Sequence, residues 1–249
     1  MPVVSFGLGT WQVKRLKWKT DLITRSEYRL NLPPMPLPPT INPAIVDSGE
    51  FDYRRVEVTG KFRHDQEMLV GPRMQDNREG YYVVTPLERK GGSKLLIFRG
   101  WIPKELGDKS KRQAVGALPE NEVTLVCQLQ RKPKKNMFTP EDKPQEGMYH
   151  FMSIDEMAKQ TGSQPVYIKA LFDPIVDGHE LLPEQMMTRG VPVGAPGKVE
   201  IRNTHFQYIL TWYGLSALTT VMLFRLIKAR NAPKSFRAKK IAHAKQLDK

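Results

Sequence analysis

Between Tyr208 and Phe224 the chain runs for seventeen residues without a charge. As a helix, at about 1.5 Å per residue, this run is roughly 26 Å long, close to a hydrocarbon core of about 30 Å. Tyr208, Trp212 and Tyr213 stand near one end, where aromatic rings anchor at a lipid–water boundary, and Arg225, Lys228 and Arg230 follow the other. A buried core helix can have the same length. An aromatic collar leading straight into a basic tail favours a membrane span over residues 204–227. The protein is therefore expected to work at a membrane, with its bulk on one side.

Charge agrees with that placement. Of the formal net charge of +13, most lies after the span, where residues 225–249 hold nine basic side chains against one acidic. A basic tail of this kind marks the cytoplasmic or matrix side and is drawn to anionic lipid. A ribosome contact is a further reading of residues 228–249. The tail has one aromatic, Phe236, so base stacking fits poorly and no specific nucleic acid is expected.

The single cysteine, Cys127, excludes an internal disulfide and any paired-thiol metal carrier. It falls in the apolar run Val123–Leu129 and is expected to be buried. The five histidines are widely separated, and no phosphate-cradling loop, His-Glu-x-x-His or Gly-x-Ser-x-Gly occurs. No enzyme signature is present, and the expectation is a protein that is not an enzyme.

Residues 10–32 suit a helix with Trp11, Leu16, Leu22 and Ile23 on a broad face, ended by Pro33-Pro34. Residues 33–43 contain six prolines and are expected to form a stiff linker reaching to about residue 52. From Tyr53 the period changes to two. Strands are expected at 53–62, 68–70, 81–85, 95–98, 123–126 and 166–168, with turn residues between them. Ser153-Ile-Asp-Glu156 has the form of a capping box opening a helix that stops at Gly162. Residues 174–197 suit a long loop, and 199–201 a last short strand. Gly60 and Gly100 are expected at turns or bulges, and Trp101 in the core or at a docking surface rather than at a ligand. The predicted fold is α+β and membrane-anchored: an antiparallel sheet or barrel-like domain over 53–203 with one embedded helix, plus a C-terminal transmembrane helix.

His205 is the one histidine that invites a functional reading. At 100° per residue it shares a stripe of the span with Tyr208, Trp212, Ser216 and Thr219. That stripe suits hydrogen bonding to another helix through its hydroxyls. It equally suits an axial ligand to haem iron with aromatics packed on the macrocycle. A histidine that merely hydrogen-bonds at the membrane boundary fits as well.

Six segments occur in an order that carries more weight than any one of them. They are Leu8-Gly-Thr-Trp-Gln12 with Trp18-Lys19, Tyr53-Arg-Arg-Val56 with Gly60, Gly71-Pro-Arg73, Gly80-Tyr-Tyr-Val-Val-Thr-Pro-Leu87, Arg99-Gly-Trp-Ile-Pro103 and Asn203-Thr-His-Phe-Gln-Tyr-Ile-Leu-Thr-Trp-Tyr-Gly214. Together they resemble the surfeit locus protein 1 family, whose yeast member is called Shy, from residue 6 to about 227. The resemblance implies an assembly factor for cytochrome c oxidase in the mitochondrial inner membrane, with its globular domain in the intermembrane space and both ends in the matrix. It implies action on oxidase subunit 1 alongside other assembly factors, and a link to inserting or protecting haem a. In bacterial relatives the histidine of the Asn-x-His motif is implicated in haem a binding. That position is His205 here, with Tyr208 and Trp212 as expected pocket residues and haem iron as the metal. A cofactor-free scaffold holding an early oxidase intermediate is the alternative. The family's first span is expected before Phe6, and residues 1–32 then represent its remnant and an amphipathic helix.

Overall fold

The computed structural model describes residues 1–135, 137, 142, 148–231 and 243. Its contacts divide the chain into a helical unit, residues 1–23 with 201–249, and a sheet unit, residues 24–200.

In the sheet unit the strands are β1 (Met35–Pro36), β2 (Arg55–Phe62), β3 (Met68–Gln75), β4 (Arg78–Glu88), β5 (Leu95–Pro103), β6 (Glu122–Gln130), β7 (Met148–Tyr149) and β8 (Gln164–Ala170), followed by a hairpin of β9 (Ile175–Val176) and β10 (His179–Glu180). Five of them close a ring in the order β2-β6-β8-β5-β4, sealed where Lys61 and Phe62 of β2 pair with Glu88 and Leu87 of β4. This is a small Greek-key barrel. β3 adds to β4 outside the ring, and β7 adds to β3.

The barrel-like expectation is met, but the sheet is not wholly antiparallel. β5 and β8 pair in parallel, as do β1 with β2 and β3 with β7. A parallel pair needs a long crossover, and the segment between β5 and β8 supplies one through β6 and the helix α3 (Ile154–Thr161). Period-2 patterning marks strands without indicating their partners, so this could not be read from alternation.

β2 alternates as expected, with Val56, Val58, Gly60 and Phe62 buried and the residues between them not. These side chains fill the barrel with Leu87, Leu95, Ile97, Leu129 and Ile168. β5 is buried along Leu95–Ile102 because both its faces are covered. Leu95 and Ile97 point into the barrel, while Leu96 and Phe98 pack with Met157 and Ile154 of α3. Cys127 and Trp101 are core residues as expected, and burial pushes the Cys127 thiol up to about 12.

At Gly100 the β4–β5 register shifts, and its φ of +139° with Val193 O only 2.0 Å from where a Cβ would stand admits no side chain. Gly60, expected at a turn or bulge, lies instead in regular pairing with Val123.

Four local expectations are revised. The proline-rich stretch does not stand free as a spacer. Prolines cannot donate, so it is held through its carbonyls: Arg89 donates to Pro38 O at 2.9 Å and to Pro39 O at 2.7 Å, and Gln164 exchanges two 3.0 Å hydrogen bonds with the Ile41 backbone. Its end is the short helix α2 (Pro43–Asp47), capped by Asn42. Ser153 makes no cap; its hydroxyl donates to Asp142 Oδ2 at 3.0 Å, although Gly162 ends α3 in the left-handed conformation as expected. Residues 174–197 contain the β9–β10 hairpin and the helix α4 (Pro183–Arg189). Residues 199–201 form no strand.

Two long helices complete the chain, α1 (Pro2–Asn31) and α5 (His205–Arg230). α1 starts eight residues before the expected position, at Pro2, a residue suited to a first helical turn. The basic tail beyond Asn231, apart from His243, lies outside the described residues.

Candidate functional site

Within the helical unit the start of α1 and the first half of α5 pack side by side. Pro2 meets Ser216, Phe6 and Thr10 meet Tyr213, and Gln12 meets His205, so the two helices run antiparallel. The contact face of α1 is small. Ser5, Gly9 and Gln12 are buried there at spacings of four and three, while Trp11 is 53% exposed. A Cβ on Gly9 would lie 2.7 Å from the Tyr213 ring. Small residues at i and i+4 let helix backbones approach closely, which is how helices associate where lipid removes the hydrophobic drive. The face expected from the large apolar residues of α1 is therefore not the one that packs in this unit.

Hydrogen bonds stitch the pair. Ser216 Oγ donates to Pro2 O at 2.9 Å, and the Tyr213 and Thr10 hydroxyls are 3.2 Å apart. Thr219 does not join them; its hydroxyl donates to Leu215 O at 2.7 Å within α5. The stripe expected from helical geometry thus delivers His205 and Ser216 to the helix–helix contact. Tyr208 remains 51% exposed, and Trp212 is half-buried.

His205 is the first residue of α5 and half-buried. Its Nδ1 stands 2.6 Å from Oε1 of the buried Gln12. An amide oxygen only accepts, so Nδ1 is the donor in this contact, which leaves Nε2 as the nitrogen with the lone pair in the neutral ring. This is the arrangement of a metal-ligating histidine whose far nitrogen is oriented by an outer hydrogen bond. Among the described residues no group of three or more His, Cys, Asp or Glu converges on a metal position. A lone oriented imidazole suits an iron already held by a macrocycle, and the donor set therefore fits haem better than a free ion.

Past Ser216, α5 continues to Arg230 with its apolar side chains uncovered: Leu218 is 72%, Met222 63% and Phe224 67% exposed. Only 6% of its most apolar window is buried, so it is not the core helix of this fold.

A second cluster, in the sheet unit, was missed by sequence reasoning. Glu67, just before β3, has a fully buried side chain and accepts a hydrogen bond from the buried Arg112. Thr85 donates to its other oxygen at 3.3 Å; Arg99 Nη1 lies 3.7 Å and His64 Nδ1 3.9 Å from that oxygen. Burial alone would raise the Glu67 carboxyl; His64, Arg112 and Arg99 overcome this and hold it down at about 2. Arg99 also donates to Ala117 O at 2.9 Å and lies over the Phe62 ring at 4.7 Å. One signal was visible: Arg99 is a lone charge inside the apolar run Leu95–Ile102. Its partners Glu67 and Arg112 lie in polar stretches that look like any solvated loop.

Comparison with known proteins is consistent over nearly the whole chain. The profile of the SURF1 family matches residues 1–217. The cytochrome oxidase assembly protein SHY1 of Saccharomyces cerevisiae is 33% identical over 282 aligned residues, covering 90% of this chain and 72% of that protein. Surfeit locus protein 1 of Homo sapiens is 36% identical, covering 90% of this chain and 74% of its own length. The SURF1-like protein of Drosophila melanogaster is 31% identical, with 92% and 76% covered. With a family match extending from Met1 through both partners of the His205–Gln12 pair, the chain belongs to the SURF1 family.

Proposed function

We propose that this chain is an assembly factor for cytochrome c oxidase in the mitochondrial inner membrane, anchored by α5 with its barrel in the intermembrane space, and that it holds haem a through His205 for oxidase subunit 1. The name of the yeast relative supports the assembly role. α5 supports the anchor: its 26 residues extend about 39 Å, enough to cross a hydrocarbon core, and its apolar side chains face outward.

The haem reading rests on one observation, the 2.6 Å contact that orients the His205 ring through Gln12. Haem a would bring an iron that already carries donors of its own, so a single protein donor would suffice to hold it, and His205 Nε2 would be that donor. Gln12 keeps the proton on Nδ1 and raises the basicity of the ligating nitrogen. Tyr208 and Trp212, one and two turns along α5 from His205, would offer ring surface to the macrocycle.

An absorption spectrum tests this directly. Protein purified from membranes that make haem a should show its band, and His205→Ala protein should lose it. A mutant that keeps haem a as tightly as wild type sinks the proposal. No band in either protein leaves the cofactor-free scaffold as the working reading. In that case docking through the α5 stripe has to use Tyr208, Trp212 and Thr219, because Ser216 and His205 are already engaged by α1.

A mitochondrial ribosome contact through the basic tail is a separate proposal that draws only on charge. Removing residues 231–249 should then lower the yield of co-purified ribosomes while the protein stays in the membrane. An unchanged yield rejects it.

A further inference from the structure

β6 has a strand on both sides only in its second half. β2 pairs with it from Glu122 to Gln128, whereas β8 reaches it only from Cys127 to Gln130. The last tie on the β8 side is Leu171 N donating to Val126 O at 2.9 Å, and among the described residues nothing pairs there with residues 122–125. Backbone direction alternates along a strand, so the N–H and C=O groups of Thr124 and Glu122 point the same way as those of Val126, into the gap. The Thr59 and Thr124 hydroxyls, 2.9 Å apart across the β2–β6 pair, agree with this, because side chains come closest in pairs that exchange no backbone hydrogen bonds. Residues 122–125 are therefore an open strand edge, about 13 Å long. It borders a cavity of about 960 Å³ whose lining lies wholly in the sheet unit and includes residues 121–125, Asp173 and residues 175–177. Phe62, Val123, Leu125 and Ala170, which pack with the barrel core, give the cavity an apolar inner side. The charges at its rim are Glu120, Glu122, Asp173 and Asp177, all exposed, and the half-buried Lys109, whose ammonium donates to His64 O at 2.6 Å. Lys90 pairs with Glu122 at 3.0 Å; the other three carboxylates have no ion-pair partner among the described residues. Arg99 and Arg112 also line the cavity, but they are buried and neutralised in part by Glu67, so the exposed rim is acidic.

We propose that residues 122–125 of β6 receive an extended segment of a partner protein, laid antiparallel to β6 in the line that β8 leaves, with side chains alternating between apolar and basic. An open edge beside an apolar trough is the surface used in strand addition, where main-chain hydrogen bonds give affinity and alternate side chains give specificity. Thr124 and Glu122 offer the main-chain groups. Period-2 alternation turns every second side chain of the segment inward, onto Phe62, Val123 and Leu125, and the others outward, level with Glu122 and the rest of the acidic rim. The carboxylates attract lysine or arginine at the outward positions and repel acidic segments. Charge on an exposed edge also guards it against indiscriminate pairing, so the same residues that keep other strands away set the charge of the one that docks.

The test uses the full chain in nanodiscs of zwitterionic lipid, with empty nanodiscs as background. The probe is a fluorescein-labelled peptide, Lys-Val-Lys-Val-Lys-Val-Lys, followed by anisotropy. Saturable binding is expected. The same residues in the order Lys-Lys-Val-Val-Val-Lys-Lys, and the alternating peptide with glutamate in place of lysine, should each bind at least tenfold more weakly. Thr124→Pro removes a donor that faces the gap and not β2, a position where an edge strand tolerates proline, and should weaken binding at least tenfold. Its companion, Glu120→Lys combined with Asp177→Lys, alters only exposed side chains and should shift the preference toward the glutamate peptide. Amide exchange of Thr124 in the wild-type chain should be fast alone and slowed by the lysine peptide. No binding, equal binding of the two lysine peptides, a preference unmoved by the charge reversal, or a Thr124 amide indifferent to bound peptide would each overturn the proposal. So would a Thr124 amide already protected in the free chain in proportion to its concentration, which would assign the edge to a second copy.

Discussion

The imidazole of His205 and the amide of Gln12, 193 positions apart in sequence, meet at 2.6 Å where the two helices of the helical unit cross. Gln12 is thus a positioning residue for any ligand on Nε2. Gln12→Met keeps the length of the side chain and removes the amide acceptor, which frees the ring to rotate and to change tautomer. Loss of such an outer hydrogen bond lowers affinity by about 10–100-fold in metal sites. Haem a titration should show that loss with the band position of any residual complex altered. Unchanged affinity would mean that the ring is oriented by something else.

The close approach at Gly9 makes a sharper prediction because the same helix carries its own control. A side chain at Gly9 collides with the Tyr213 ring at 2.7 Å, whereas a Cβ at Gly7 meets nothing within 4 Å. Gly9→Val should destabilise the α1–α5 pair by about 1–3 kcal/mol, the usual cost of overpacking, and weaken haem a binding although His205 is untouched. Gly7→Val should do neither. Thermal unfolding of both variants, with haem a titration alongside, separates the outcomes; equal behaviour of the two would contradict the packing described.

What was legible in the sequence follows from what each pattern encodes. Alternation along Tyr53–Phe62 and the apolar run Leu95–Phe98 marked β2 and the first half of β5, because burial of one or both faces leaves a direct trace in residue type. Pairing leaves none, so the parallel β5–β8 contact was not foreseen. α4 was overlooked although Pro183 and Gly190 bracket it, since the surrounding prolines and glycines look like a loop. The candidate site was half legible. His205 and Ser216 fall on one stripe by helical geometry alone. Gln12 and Tyr213 did not emerge, because the α1 face that receives α5 is made of Ser5 and Gly9, and a search for large apolar residues passes over a surface that works by being small.

The buried cluster of the barrel lends itself to a double-mutant cycle. Arg112→Met removes the guanidinium that neutralises Glu67 and should cost about 3–5 kcal/mol, much of it from a carboxylate left without its main partner. Glu67→Gln alone leaves two guanidiniums facing each other. The double variant Glu67→Gln with Arg112→Met should cost clearly less than the two single changes added together, by about 0.5–3 kcal/mol. Native-state hydrogen exchange of the β5 amides reports the barrel without interference from α1 and α5. Additive costs would show that Glu67 and Arg112 do not act as a pair.

Acid should dismantle the same cluster in a defined interval. The Glu67 carboxyl sits at about 2 in the folded protein against an ordinary value of 4.5. A carboxyl with a depressed folded value binds its proton more readily when unfolded, so its stabilisation is complete above about pH 4.5 and is lost as pH falls through about 2. At about 1.4 kcal/mol per unit, the interval corresponds to roughly 3 kcal/mol. Other carboxylates also titrate in this range, so wild-type stability alone is uninformative. The difference between wild type and Glu67→Gln isolates the group, because glutamine cannot take up the proton. Measured by β5 exchange, that difference should be constant from pH 7 to about pH 5 and shrink by roughly 3 kcal/mol as pH approaches 2. A difference that stays flat down to pH 2 would mean that the Glu67 carboxyl is not held down by His64, Arg112 and Arg99.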